Sequence, residues 1–142
     1  MKVRWIKFAG LLTAALLLAA ACDEGIDDWN SSARVSGWVF ADPSHSRGVE
    51  GVQIIIEADP EADVPYEGPD RWTVTDASGH FVGAVFLGNT NGEYTYVADL
   101  IVGYFWHDKS FTWTGGITVA PGSVFTLPAV DTTMFAPIGG GQ

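Results

Sequence analysis

The chain has 142 residues, enough for one compact domain, and its 47% hydrophobic and 13% aromatic content belongs to a globular protein. Its formal net charge is −10, unevenly placed: Lys2, Arg4 and Lys7 precede every acid, which leaves Arg34, Arg47, Arg71 and Lys109 against all seventeen acidic residues. So acidic a body repels phosphate, which argues against nucleic acid and anionic lipid headgroups as partners of the folded part.

In chain order, residues 1–21 come first. A basic start (Lys2, Arg4, Lys7) leads into an apolar run from about Phe8 to Leu18 and a small-residue end, Ala19, Ala20 and Ala21. That is the layout of a secretory signal helix. A transmembrane helix needs ~20 apolar residues; this run is shorter and is followed by acid at Asp23.

The junction "LAAAC" (18–22) holds the only cysteine of the chain, Cys22. It resembles the lipobox of bacterial lipoproteins, with Ala19 standing where that family usually has leucine. The resemblance implies cleavage between Ala21 and Cys22, and acyl chains such as palmitate on Cys22 and on the new N-terminus. It further implies attachment to a membrane of the bacterial cell envelope. A lone thiol is a liability in an oxidising compartment, and lipidation would consume it. Several acyl chains make a stable anchor, since each buried methylene contributes ~0.8 kcal/mol and one chain alone is marginal. Asp23, next in line, resembles the inner-membrane retention signal of enteric bacteria. The acidic stretch "DEGIDDWNSSA" (23–33) then reads as a tether, so that 22–33 joins anchor to domain. Eleven residues reach at most ~38 Å and average nearer ~18 Å when flexible.

From Arg34 onward the pattern has period two. Strands are expected at "VSGWVF" (35–40), "GVQIIIEA" (51–58), "RWTVT" (71–75), "HFVGAVFL" (80–87), "EYTYVADLIVGYFW" (93–106), "FTWTGGITV" (111–119) and "SVFTLPAV" (123–130). In the second, Val52, Ile54, Ile56 and Ala58 share the inner face; in the third, Trp72 and Val74 are expected inward. The segments between them are rich in Pro, Gly, Asn, Asp and Ser. No window outside the leader has helical periodicity. Seven short strands at this spacing predict an all-β antiparallel sandwich over 34–135, followed by a Gly-rich tail over 136–142.

Several short motifs then fall in a familiar order: Val35/Gly37/Val39, Gly51/Val52/Ile54, Thr75/Asp76/Gly79/Phe81, Gly92/Tyr94 and Ile117/Val119/Gly122. Together they resemble the carboxypeptidase regulatory-like, or transthyretin-like (prealbumin-like), domain family over about residues 34–131. The resemblance implies a Greek-key order of the strands, with a hairpin at Thr75–Phe81, and an accessory module whose fold does not fix its function.

Signs of catalysis are sparse. His45, His80 and His107 lie in expected loops or at a strand start, without metal-ligand spacing. No G-x-S-x-G elbow occurs. The C-terminal Tyr-Arg-Gly-Ser of hydroxyisourate hydrolases and the two-Tyr, two-His iron site of intradiol dioxygenases have no counterpart. The reading is a non-enzyme without a cofactor. The loop carrying Asp59, Glu61, Asp63, Glu67 and Asp70 is the candidate for calcium, which takes six to eight oxygens, although its spacing is not that of an EF-hand. A solubilising loop is the simpler account.

The aromatic hairpin offers the other candidate. A four-residue loop over 107–110 would set Trp106 opposite Phe111 and Tyr104 opposite Trp113, all on one face. That face continues through Val102, Leu100 and Ala98, which makes it core; carbohydrate-binding modules nonetheless use such platforms. Trp38 and Phe40, opposite the Val35/Val39 face, and Phe105 are the aromatics expected at the surface. The candidate ligand residues are therefore Trp38, Phe105, Trp106 and Trp113. The expected function is that of an envelope lipoprotein with a structural or protein-interaction module. The alternatives are a polysaccharide-binding lipoprotein and a calcium-stabilised adhesin-like domain.

Overall fold

The computed structural model describes residues 31–63, 66–88 and 97–139. The signal segment, Cys22, most of the tether and the Gly92/Tyr94 motif lie outside the described residues.

β1 (Ser32–Phe40) starts two residues ahead of Arg34 and is the centre of the first sheet. It pairs antiparallel with β4 (His80–Phe86), in register from Ser32 opposite Phe86 to Trp38 opposite His80. It pairs parallel with β7 (Val124–Thr126) and β8 (Val130–Asp131). The second sheet runs in the order β3 (Arg71–Val74), β2 (Gln53–Ala58), β5 (Ala98–Trp106), β6 (Lys109–Val119) and β9 (Ala136–Pro137), with every pairing antiparallel. One 3-10 turn, Thr132–Met134, joins β8 to β9. The described chain is therefore all-β in two sheets. Described strands fall within each of the seven expected segments, but nine are present rather than seven: the expected strand at 123–130 is divided between β7 and β8, β9 is additional, and residues 93–96 of the expected fifth strand lie outside the described residues. The expected purely antiparallel pairing is corrected to a mixed one, because β7 and β8 both return alongside β1 in its own direction. Ala136–Pro137, expected in the tail, pairs instead with β6.

The core lies between the sheets. Val35, Val39, Phe81, Val85 and Leu87 of the first meet Ile54, Ile56, Leu100, Val102 and Tyr104 of the second. Alternation explains the choice: these residues fall two apart along each strand, so one side of each pleat is buried. Phe81 and Tyr104 touch edge to face across the core, with centroids 5.8 Å apart. Gly37 makes room for this, since a Cβ there would stand 2.9 Å from the Phe81 ring.

The Thr75–Phe81 motif is not a hairpin. β3 pairs with β2 in one sheet and β4 with β1 in the other, so this segment is a corner by which the chain changes sheets. Its residues have separate structural tasks. The buried Thr75 hydroxyl donates to Val49 O at 2.6 Å and accepts from Val52 N at 2.9 Å. Asp76 accepts from Ser78 N, Ser78 Oγ and His80 N at 2.8, 2.6 and 3.0 Å. The Ser78 hydroxyl, then the His80 amide, hold its carboxyl below the usual carboxylate range. Gly79 has φ +80°, and a Cβ there would sit 2.2 Å from Val39 O, so only glycine fits.

Candidate functional site

The described strands place the aromatic residues on three surfaces. β5 and β6 turn through His107 and Asp108 alone, since Trp106 pairs with Lys109. The expected four-residue loop is thus two residues shorter, and Tyr104 lies opposite Phe111 rather than Trp113. A shift of two residues leaves every side chain on its own face, whereas a shift of one would have reversed them all. Tyr104 is fully buried; Trp106, Phe111 and Trp113 are half-buried against the core. Tyr104 also meets Phe111 and Phe135, with centroids 5.7 and 6.2 Å away. Its hydroxyl has no hydrogen-bond partner among the described residues, and burial pushes the phenol pKa up.

The outer face of the first sheet carries Trp38, 37% exposed, its ring tilted by 40° against that of His80 with centroids 4.5 Å apart. Half-buried Phe40 lies beside it, against His45 at 4.7 Å. His107 in turn meets Trp106 at 4.5 Å. Each histidine of the chain therefore rests on an aromatic ring.

Exposed Val82, Phe86 and Val124 share the face of Trp38; the outer face of the second sheet is a separate apolar surface and carries the most exposed of these aromatic rings. Trp72 is 61% and Val74 54% exposed, which corrects the expectation that both point inward. The register gives the reason. Trp72 pairs with Ile55 and Val74 with Gln53; because Ile54 and Ile56 face the core, Ile55, Gln53 and their partners must face out. Thr73 and Thr75 take the inner positions, and the two hydrogen bonds of the Thr75 hydroxyl hold that phase. Phe105, opposite Gln53 on the other side of β2, joins the same face, and its ring lies 6.0 Å from that of Trp72 at an interplanar angle of 34°. Between them Gly103 pairs with Ile55 and leaves a shallow floor, since a Cβ there would come within 2.8 Å of the Ile55 side chain. Gln53, Ser110 and Thr112 supply hydrogen-bonding groups on this face, Ser110 opposite Phe105 and Thr112 opposite Gly103. Of the expected ligand residues, Phe105 belongs to this patch, Trp38 lies on the other sheet, and Trp106 and Trp113 line the core side. Trp72, Val74 and Ile55 are the members that sequence reasoning missed.

The described residues of the acidic loop form no cage. Asp59 accepts from Glu61 N at 2.9 Å, and its own N–H donates to Asp99 O at 3.1 Å. Glu61, Asp63, Glu67 and Asp70 are exposed. Among the described residues no three His, Cys, Asp or Glu side chains converge as a metal site.

The fold places the chain among all-β proteins of two sheets. Over 91% of its length it is similar to part of a 9R-lipoxygenase from Cyanothece PCC8801, at 12% identity with a TM-score of 0.51. It spans only 23% of that protein's chain, and at this identity the likeness concerns the fold alone. It is also similar over 78% of its length to 44% of an (S)-allantoin synthase, at 13% identity with a TM-score of 0.44. No family model matches the sequence, and no curated protein does.

Proposed function

We propose that this protein is a lipid-anchored component of the bacterial cell envelope whose transthyretin-like, Greek-key sandwich is a non-catalytic protein-interaction module. The observation that carries the reading is the outer face of the second sheet, where exposed Trp72 and Val74 and half-buried Phe105 lie over buried Ile55. Isolated exposed apolar residues are ordinary, but a contiguous patch rimmed by polar groups marks a binding surface, and tryptophan is prominent among residues that dominate interface energetics. The anchor rests on "LAAAC" at 18–22 and the acidic tether after it. The tether joins the domain at Ser32, where Ser31 O accepts from Leu87 N and Ser32 O from Gly122 N, each at 2.7 Å.

Two measurements test this reading. Mass spectrometry of the mature protein should find Cys22 N-terminal and acylated; an unmodified Cys22 removes the anchor. A photoactivatable residue at position 72 of the membrane-bound chain should give one discrete protein adduct, and one at exposed Met134 none. Equal labelling from both positions refutes a specific face.

A second reading has its own support. The Trp72 and Phe105 rings, with Gln53, Ser110 and Thr112 beside them, also suit a neutral polysaccharide. Glycan-array binding lost in Trp72→Ala would put it ahead.

A further inference from the structure

β6 has a partner along most of one side and along very little of the other. β5 pairs with it over Lys109–Trp113 and Ile117–Val119, whereas β9 pairs with Lys109 and Ser110 alone. The other nine of its eleven residues are a free sheet edge among the described residues.

The hairpin settles which backbone groups look outward. Trp106 and Lys109 close the two-residue turn, and Ile138 N reaches Asp108 O from the outer side at 2.7 Å. Antiparallel alternation then turns the N–H and C=O of Ser110 and Thr112 away from β5. β9 covers Ser110; at Thr112 the row is open. Beyond it, Gly116 takes φ +63° where the β5–β6 register shifts, which ends the regular edge.

The chemistry of this flank is unlike the rest of the chain. Residues 110–130 contain no charged side chain, in a protein with seventeen acids. Natural sheet edges usually carry lysine, proline or an inward charge that prevents pairing with another strand. The open stretch of β6 instead presents exposed Thr112 and Thr114, β-branched residues that suit pairing.

We propose that the β6 edge at Thr112 takes up an extended segment of another protein, free of acidic residues, as an added strand. Main-chain hydrogen bonds supply the affinity, as in other strand additions. Charge chooses the occupant: beyond residue 21 four bases stand against seventeen acids, so a second copy or an acidic segment is repelled, while an uncharged or basic one is not. The strand would use the outward main chain of β6, whereas the Trp72 face uses side chains, although the Thr112 side chain borders that face; the proposal rests on the protein-interaction reading and deepens it by naming the kind of segment bound.

The test uses the full chain in detergent and a ten-residue peptide alternating threonine and valine, with lysine at each end. Hydrogen exchange followed by NMR should find the Thr112 amide fast in the protein alone and at least tenfold slower with the peptide. The same peptide N-methylated at alternate residues should bind at least tenfold more weakly, as should a version with glutamate at each end. Thr112→Pro removes only an outward N–H and should abolish binding with the melting temperature little changed; if that variant does not fold, the N-methylated peptide decides. Four outcomes overturn the proposal: a Thr112 amide already slow in the monomer, equal binding of the N-methylated peptide, protection appearing only as the protein dimerises, or protection at Trp72 instead. Trp72→Ala should leave peptide binding intact, so this proposal and the Trp72 face fail separately.

Discussion

The two faces of the second sheet carry similar side chains and opposite roles. On the inner face Tyr104, Phe111 and, from across the core, Phe81 pack ring against ring. On the outer face Trp72 and Phe105 pack as closely, yet Trp72 is mostly in solvent. Ring contacts alone therefore do not distinguish core from surface. What does is whether a second layer covers the face: β1 and β4 cover the inner side, and no described strand covers the outer one. Buried aromatics then hold the fold, and exposed ones are available to a partner.

The first way to break this contrast is to delete an inner ring. Phe81→Ala should cost about 3–5 kcal/mol and lower the melting temperature by roughly 15 °C or more, because Phe81 is enclosed and the space beside Gly37 cannot close over the cavity. Thr75→Val comes next. It keeps the side-chain shape but leaves Val49 O and Val52 N without the hydroxyl between them. Two buried groups left unmet cost about 2–4 kcal/mol together, read as a fall in the denaturant midpoint. A small loss would mean that Thr75 does not set the phase of β3.

That phase marks the limit of what could be read in advance. The strands themselves were legible because β-branched and aromatic residues alternate between turn-rich breaks, and in β2 the apolar set at Val52, Ile54 and Ile56 has only one sensible inner side. β3 is different. Trp72 and Val74 alternate with Thr73 and Thr75 no less regularly, and hydrophobicity favours turning the tryptophan inward. The outcome depends on pairing with Ile55 and on the hydrogen bonds that reward a buried Thr75, neither of which is a local property of "RWTVT". The hairpin was legible in face but not in loop length: a turn shortened by two residues keeps every side chain where alternation put it. Parallel return of β7 and β8 beside β1 is a long-range choice with no local mark. Trp72 was missed for the same reason as the phase, and Phe105 was found because it opposes Tyr104 and Trp106 in a long regular run.

A subtler change sharpens the inner half of the comparison. Tyr104→Phe should raise stability by about 1 kcal/mol, because it removes a buried hydroxyl that finds no partner among the described residues. It should also change the alkaline limb. Burial lifts the Tyr104 phenol above its usual value, so the unfolded chain loses that proton first. Stability from this group is complete below about pH 10 and declines as pH rises beyond it. The difference between wild type and Tyr104→Phe, measured by denaturant titration, should therefore widen above pH 10. At the acid end the sign reverses for Asp76: its lowered pKa means that its contribution is present above the normal carboxylate range and lost as pH falls through the folded value. Asp76→Asn should flatten that limb.

The smallest expected effect on stability is the most informative about function. Trp72→Ala removes a large side chain that solvent already reaches, so stability should move by no more than about 0.5 kcal/mol. The adduct formed from the photoactivatable group should meanwhile be lost when that group is moved to a neighbouring outer position, such as Phe105, in the Trp72→Ala background. A core ring cannot separate these two readouts, since any change that weakens binding there also weakens the fold. If Trp72→Ala instead lowers the melting temperature by more than about 4 °C, something covers the outer face in the intact protein, and the patch is an internal contact rather than a site. The tether is the segment to suspect, because Ile26 and Trp29 are its two apolar residues. A fall that disappears when Ile26 and Trp29 are both replaced by serine would assign the cover to them.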